Sequence, residues 1–127
     1  MQEFNNTGVL FAISDYIGKK NIWEAYPIQR KHYHANEEQI NEMTEHGFEI
    51  GSHSKTHKYL PYLKKEDILS ELNVSKQYLE ETFKTEIISC CYPYGGYSKK
   101  VLSVSKSAGY IYGMGNRWNG LRYTFQN

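Results

Sequence analysis

Four short apolar runs recur along the chain, and each predicts a β-strand. They occupy residues 8–13, 48–52, 86–92 and 110–114. The first run has no alternation of apolar and polar residues, which is typical of a strand covered on both faces, as in a parallel sheet. The third run is cut off by Pro93 and the glycine pair behind it, which together favour a turn.

Amphipathic segments separate these runs and predict helices. Residues 65–83 carry apolar side chains at steps of three and four, the period of a helix with one buried face. A second helix is expected to begin at Asn36, because asparagine caps helix N-termini and Gln39 completes a capping box, and to stop at Gly47. Ser98 is expected to cap a third helix in a similar way.

Strands that alternate with helices of this length predict an α/β fold with a parallel sheet. Functional side chains in such folds lie at the carboxyl ends of the strands. Asp15, His53 and residues 93–95 each follow a predicted strand, so they are expected to open onto one face of the sheet. The pattern is ambiguous at residues 19–35 and irregular at residues 117–127.

Composition excludes several classes of protein. The 15 Lys and Arg and the 14 Asp and Glu leave a net charge of +1, too little to hold a nucleic acid through its phosphates. No apolar stretch approaches the ~18 residues of a membrane span, and residues 9–13 are too short for the core of an export signal. The only cysteines, Cys90 and Cys91, are adjacent, so they cannot staple distant segments.

His53 and His57 form the strongest local signal for chemistry. Two imidazoles four residues apart on a helical turn point the same way and can share one divalent metal, with zinc as the default. Two surface histidines in a polar loop are the alternative for any isolated pair of this spacing. The pair begins where a predicted strand ends, which favours the metal, although a catalytic metal usually takes three protein ligands.

A tyrosine-rich turn at residues 92–97 is the second candidate. Backbone N–H groups at a sharp turn can bind a developing oxyanion, and aromatic rings can line a groove of the size of a sugar. A plain turn whose tyrosines pack in the core is the alternative. Both interpretations stay open when the turn is considered alone.

Together these motifs resemble the polysaccharide deacetylase family of carbohydrate esterases. The resemblance rests on G-F-E-I-G-S-H-S-K-T-H at residues 47–57, on Glu71-Leu72 and Ser75-Lys76 in the following helix, and on Tyr92-Pro93-Tyr94-Gly95. It continues with Ala108-Gly109-Tyr110 and with residues 11–18, which are similar to the second barrel strand of the family. The order and spacing of several motifs make the resemblance more specific than any one of them.

The resemblance implies a distorted (β/α) barrel of the deacetylase type, of which a single truncated domain over residues 1–127 contains about four βα units. It also implies a hydrolase that removes acetyl groups from N- or O-acetylated oligo- or polysaccharides with a divalent metal, zinc by default and cobalt or nickel as alternatives. In that family the two histidines, here His53 and His57, are metal ligands, and the backbone N–H of Tyr94 helps to hold the oxyanion. Substrate contacts are expected from Tyr92, Pro93 and Gly95. Members are often secreted or attached to the cell envelope.

Several parts of the family pattern are absent from the sequence. There is no T-F-D-D strand or other Asp-Asp pair to supply a general base and a third ligand, there is no late L-x-H segment to supply the general-acid histidine, and Cys91 stands where the family often has arginine. A complete barrel of this type needs about 200 residues or more. Asp15 could replace the missing ligand, although a turn residue is the simpler interpretation. His32, His34 and His46 are interpreted as solvated histidines in a loop or at a helix end.

These gaps leave several functional hypotheses. A general base and a general acid each contribute about 10²–10⁴-fold to such a hydrolysis, so the chain is either a piece of a larger active deacetylase or a short relative with crippled chemistry. A non-catalytic module whose tyrosines stack on pyranose rings and a purely structural metal site are the alternatives. Outer strands without neighbours also predict open sheet edges, through which homo-oligomers can form.

Overall fold

The computed structural model describes residues 7–22, 32–117 and 120–125. The strands are, in chain order, β1 (Val9–Ala12), β2 (Glu49–Ser52), β3 (Ser89–Cys91), β4 (Tyr112–Arg117) and β5 (Gly120–Phe125). The helices between the first four strands are α1 (Glu37–Glu45), α2 (Lys65–Phe83) and α3 (Lys99–Ser107). Short 3₁₀ turns lie at Ser14–Tyr16, Leu60–Tyr62 and Pro93–Gly95.

The strands form one sheet whose spatial order follows the chain, β1-β2-β3-β4-β5. Strands β1 to β4 are parallel, and β1 pairs with β2 from Val9 opposite Glu49 to Ala12 opposite Ser52. Parallel strands that each lie beside their predecessor, with a helix between them, are the arrangement of a (β/α) barrel, whereas a doubly wound sheet reverses its strand order. The predicted α/β fold is therefore confirmed, and the described residues form an incomplete barrel of four parallel strands.

The core lies between the sheet and the helices, and α2 provides much of it. Ile68, Leu72 and Leu79 of α2 are fully buried together with Val101 and Val104 of α3. The structure gives α2 the predicted bounds, because its apolar residues repeat at the helical period over all 19 residues. Because its apolar face packs in the core, the orientation of α2 relative to the sheet is fixed, and so are the positions of its polar side chains.

The capping residues confirm where the shorter helices begin. Asn36 Oδ1 accepts the backbone N–H of Gln39 at 2.9 Å, and Gln39 Oε1 accepts the backbone N–H of Asn36 at 3.0 Å. Ser98 Oγ accepts the backbone N–H of Val101 at 3.3 Å at the start of α3. Gly47 ends the first of these helices at a φ of 87°, a left-handed conformation that glycine adopts without steric cost.

One prediction is wrong at the C-terminal end of the sheet. Residues 117–127 are irregular by sequence pattern, yet Gly120–Phe125 forms β5, which pairs antiparallel with β4 from Arg117 opposite Gly120. Strand β4 also begins later than residue 110, because the backbone N–H of Tyr110 donates to the carbonyl of Ser105 at 3.2 Å and not to the neighbouring strand. A hairpin strand therefore follows the fourth parallel strand.

The ambiguous segment at residues 19–35 contains an antiparallel bridge between Lys20 and Tyr33, and its residues 23–31 lie outside the described part. Strands β1 and β5 are the two edges of the sheet within the described residues. Homo-oligomers formed through these edges stay a prediction. Among the described segments, no helix has the length and apolar character that crossing a membrane requires.

Candidate functional site

The carboxyl ends of β1, β2 and β3 meet at one edge of the sheet, as the sequence predicts for parallel strands. His53 directly follows β2, and its backbone N–H donates to the carbonyl of Ala12 at 2.8 Å. On the other side of β2, Ser52 pairs with Cys90, and the Nδ1 atom of His53 lies 2.7 Å from the carbonyl oxygen of Cys91. Three consecutive strands therefore fix the position of His53.

The two imidazoles of the predicted pair face each other. The Nε2 atoms of His53 and His57 are 3.1 Å apart, and the ring centroids are 4.7 Å apart. A carbonyl oxygen only accepts hydrogen bonds, so Nδ1 of His53 carries a proton toward Cys91, and the neutral ring keeps its lone pair on Nε2. In the metal-free protein, His57 then donates its Nε2–H to this lone pair.

Burial keeps both imidazoles neutral. Desolvation lowers the pKa of His53 below its ordinary value, against the opposing effect of the hydrogen bond to the Cys91 carbonyl. Desolvation also lowers the pKa of His57, to about 4, with further contributions from the proximity of His53 and His34. At neutral pH both rings are therefore neutral, as metal ligation requires, and His57 can bind a metal through Nε2 once its single ring proton moves to Nδ1.

The lowered pKa values predict how stability depends on pH. Histidines of the unfolded chain bind protons near pH 6.5, whereas His57 of the folded chain binds one only near pH 4. The unfolded state holds more protons between these values, so the free energy of unfolding decreases as the pH falls from 6.5 toward 4. We expect circular dichroism at fixed ionic strength to show the Tm of the metal-free protein falling across this window, and a smaller fall for His57→Ala. An equally steep fall of Tm in His57→Ala would contradict the assignment of this pH dependence to His57.

The loop that carries the pair has an unusual backbone conformation. Ser54 and His57 have φ values of 64° and 62°, in the left-handed region that costs non-glycine residues roughly 1–2 kcal/mol each. The backbone N–H of His57 donates to Ser54 Oγ at 3.1 Å, which stabilises the bend. The expectation that the two histidines share a helical turn is corrected here, since residues 53–57 form a bent loop.

The turn at Pro93–Gly95 lies beside the histidine pair. Within it, Tyr94 has a left-handed φ of 57°. The Tyr94 side chain is 66% exposed, and its ring centroid lies 4.7 Å from that of His57. The structure therefore places Tyr94 against His57, whose ring in turn faces His53.

The other residues of this turn are buried or closely packed. Tyr92 is only 1% exposed, its hydroxyl donates to Ser105 Oγ at 3.0 Å, and desolvation raises its pKa. Pro93 is also fully buried, and Gly95, at a φ of 68°, lies so close to Asn116 that a Cβ atom would collide. The expectation that Tyr92 and Pro93 contact substrate is corrected for their side chains, which pack in the core.

Among the described residues, none of the remaining predicted candidates is grouped with the pair as a further metal ligand. The Asp15 carboxylate is 4.0 Å from Lys55 Nζ at a partly exposed position, in agreement with its interpretation as a turn residue. His46 is exposed, and its Nδ1 donates to the carbonyl of Glu42 at 2.8 Å at the end of α1, while His32 is exposed. Within the described residues, no three His, Cys, Asp or Glu side chains are grouped so that they could hold a metal ion.

His34 differs from its interpretation as a solvated histidine. It is half-buried, burial lowers its pKa, and it lines a cavity of about 300 Å³ together with both histidines of the pair. Apolar side chains that include Leu10 and Ile13 form much of the wall. No local motif marks His34, because it reaches this cavity from a segment whose pattern is ambiguous.

Two observations fit the histidine pair to a divalent metal. Nitrogen ligands about 2.0–2.1 Å from a tetrahedral zinc lie about 3.3 Å apart, and the two Nε2 atoms are 3.1 Å apart. A ring N–H that donates to a backbone carbonyl, as in His53, is the usual arrangement behind a zinc-bound histidine. The geometry of the pair is therefore compatible with two ligands of a metal ion, and within the described residues no third candidate ligand is grouped with them.

Comparisons with known sequences agree on one family. The profile of the polysaccharide deacetylase family matches residues 1–113. Over 110 residues, the chain is 29% identical to the YxkH protein of Bacillus subtilis (strain 168), whose name describes a polysaccharide deacetylase. This alignment covers 74% of the chain and 39% of that protein.

Solved structures share the fold. A polysaccharide deacetylase from Bacillus cereus matches with a TM-score of 0.71 at 23% identity, over 94% of this chain and 33% of the other. The Streptococcus pyogenes deacetylase PplD in complex with acetate matches with a TM-score of 0.70 at 20% identity, over 84% and 42%. At these identities the likeness establishes the fold alone. The chain spans less than half the length of each of these relatives.

Proposed function

The chain belongs to the polysaccharide deacetylase family, and on this premise we propose that it carries part of a metal-dependent centre that removes acetyl groups from N- or O-acetylated carbohydrate. One observation carries the proposal. The Nε2 atoms of His53 and His57 converge to 3.1 Å at the end of β2, beside the turn that presents Tyr94. Family membership supports the reaction class, and the site supports the use of a metal.

His53 and His57 would hold the metal through their Nε2 atoms. When bound, a divalent cation supplies a Lewis acid for the acetyl carbonyl and lowers the pKa of a coordinated water. The residues of the chain keep the two ligands neutral by burial, and the Cys91 carbonyl orients the His53 ring. Imidazole nitrogens are suitable ligands for zinc, and they also bind cobalt or nickel.

Tyr94 would bind the reacting carbonyl of the substrate. Its left-handed backbone lies at a sharp turn, and its ring lies against His57. In this proposal the backbone N–H of Tyr94 donates to the developing oxyanion, a contribution that is typically worth about 10²–10³-fold in rate. The exposed face of the ring gives an approaching sugar an apolar surface on one side of the histidine pair.

Within the described residues, no carboxylate is grouped with the histidine pair to serve as the base of such a hydrolysis. The sequence has no Asp-Asp pair, and Asp15 is directed toward Lys55. Because the chain spans 39% of its relative from Bacillus subtilis, we assign the full activity to a longer protein that supplies the missing proton-transfer groups. The short chain alone would then bind the metal and catalyse poorly.

The test is acetate release from chitooligosaccharides or acetylated xylan, followed with an enzyme-coupled acetate assay. We expect the zinc- or cobalt-loaded chain to be at least about 100-fold slower than a version extended at both ends, because the absence of a general base alone costs about 10²–10⁴-fold. The extended protein treated with a chelator is the control and should lose its activity. If the metal-loaded extended protein released no acetate, the proposal would be wrong.

Exposed tyrosines favour one second candidate, a sugar-binding module without catalysis. Tyr62 is 88% exposed, and its ring centroid lies 4.8 Å from that of Tyr59. Glycan binding that is unchanged by a chelator and accompanied by no turnover would favour this function. A metal that raises Tm but leaves glycan binding and turnover unchanged would instead be structural.

A further inference from the structure

Helix α2 presents two polar side chains to the histidine loop, and both are buried. Glu71 is 5% exposed and Ser75 is fully buried, although carboxylates and hydroxyls are costly to bury without partners. They lie four residues apart, so they occupy one face of the helix. Both find their partners in residues 52–58, the segment that contains the two histidines.

Glu71 binds the residue that immediately precedes His57. One carboxylate oxygen accepts the backbone N–H of Thr56 at 2.8 Å, and the other accepts the Thr56 hydroxyl at 2.5 Å. Lys58 Nζ lies 3.9 Å from the same carboxylate, but its side chain is largely exposed. Thr56 is therefore held by two charge-assisted hydrogen bonds, which are shorter and stronger than neutral ones.

Ser75 holds the other half of the loop, next to His53. Its hydroxyl donates to the carbonyl of Ser54 at 3.2 Å and lies 2.9 Å from Ser52 Oγ. Because each hydroxyl has one proton, Ser52 donates to Ser75 and accepts the backbone N–H of Ser54 at 3.2 Å. The three serines form a closed ring of hydrogen bonds that is buried from water.

We propose that Glu71 is a positioning residue for the metal centre. By holding Thr56, it keeps the loop in the left-handed conformation of His57 that turns this ring toward His53. Ser75 completes the support at the Ser54 end of the loop. The inference rests on the proposed metal-binding function, and it adds that the loop is organised by α2 before any metal binds.

The experiment measures the Kd for Zn²⁺ by isothermal titration calorimetry in wild type, Glu71→Ala and Glu71→Gln. We expect Glu71→Ala to raise Kd about 10- to 100-fold, as loss of supporting groups behind metal ligands does elsewhere. The side-chain amide introduced by Glu71→Gln retains one oxygen for the Thr56 N–H, and we expect this variant to recover most of the affinity. Glu81→Ala is the matched control, because Glu81 is an exposed carboxylate on the same helix.

A second measurement needs no metal. Amide hydrogen exchange in the metal-free protein is expected to show that Thr56 and His57 lose protection in Glu71→Ala, while amides in the core of α2 keep theirs. Thr56→Val, which removes only the hydroxyl partner, is expected to give an intermediate increase in Kd for Zn²⁺.

The two measurements separate this inference from the proposed function. If wild type bound no Zn²⁺ while loop protection still depended on Glu71, the metal function would fail and the organisation of the loop by α2 would stand. If wild type bound Zn²⁺ and Glu71→Ala had the same Kd and the same protection, the positioning role would be overturned. Equal loss of affinity in Glu71→Ala and Glu71→Gln would also overturn it, since the negative charge and not the hydrogen-bond geometry would then matter.

Discussion

Replacing either His53 or His57 with alanine is expected to raise the Kd for Zn²⁺ more than about 100-fold. Loss of a group behind a metal ligand already costs about 10–100-fold, and these variants remove a ligand itself. The remaining imidazole would bind metal as a lone surface histidine does. Isothermal titration calorimetry at pH 7, on protein freed of any histidine tag, measures the change.

The matched control for these variants is His46→Ala. His46 is exposed, and its ring is bound to the Glu42 carbonyl at the end of α1. We expect this variant to bind Zn²⁺ with the affinity of wild type. Unchanged affinity in the double variant of His53 and His57 would show that the metal binds elsewhere.

The largest expected loss of stability comes from Leu72→Ala. The side chain of Leu72 is fully buried in the core beside α3, and truncation of such a leucine typically costs about 2–5 kcal/mol through lost apolar contact and the cavity that remains. Urea unfolding at pH 7, followed by circular dichroism, measures the free energy of unfolding. Leu69→Ala is the control on the same helix, because Leu69 is 43% exposed.

We expect the control to change the free energy of unfolding by less than about 1 kcal/mol, since substitutions at exposed positions usually have small effects. Equal losses in the two variants would contradict the orientation of α2. The orientation of α2 also determines where Glu71 lies, because Glu71 adjoins Leu72 in the sequence. The hydrogen bond from the Tyr110 hydroxyl to the carbonyl of Leu72, at 2.8 Å, is a further contact of this part of the helix.

The parts of the fold that local patterns determine could be predicted from the sequence. Helix α2 has its predicted bounds because a 3.6-residue period over five turns is a strong signal. The capping box of Asn36 and Gln39 is visible in the sequence because its partners are three residues apart. The parallel sheet follows from the alternation of such helices with short apolar runs.

Strand β5 could not be predicted from apolar alternation alone. Its residues, Gly120–Phe125, mix polar and apolar side chains, and the pairing with β4 defines the strand. The Asn119-Gly120 dipeptide of the sequence is a turn signal at the beginning of this strand. This turn signal, considered together with the apolar run at residues 110–114, is the feature of the sequence that favours a hairpin.

Some features of the candidate site could likewise be predicted from the sequence, and others could not. The position of His53 at a strand end follows from the sequence, but the inward direction of the Tyr92 side chain does not, because no local pattern says which tyrosine of the turn faces the core. The contact of Glu71 with Thr56 joins residues 15 apart in the sequence. His34 reaches the cavity of the pair from a still more distant segment. Such contacts depend on how helices pack, which a single sequence does not display.

The central claim is that both imidazoles bind one metal ion through Nε2. Long-range ¹H–¹⁵N NMR of the imidazole nitrogens, during titration of the full chain with Zn²⁺, tests it most directly. The account predicts that the Nε2 signals of His53 and His57 shift together and saturate at one equivalent, while Nδ1 of His53 stays protonated by its contact with the Cys91 carbonyl. Saturation in which only one of the two rings responds, or neither, would contradict it.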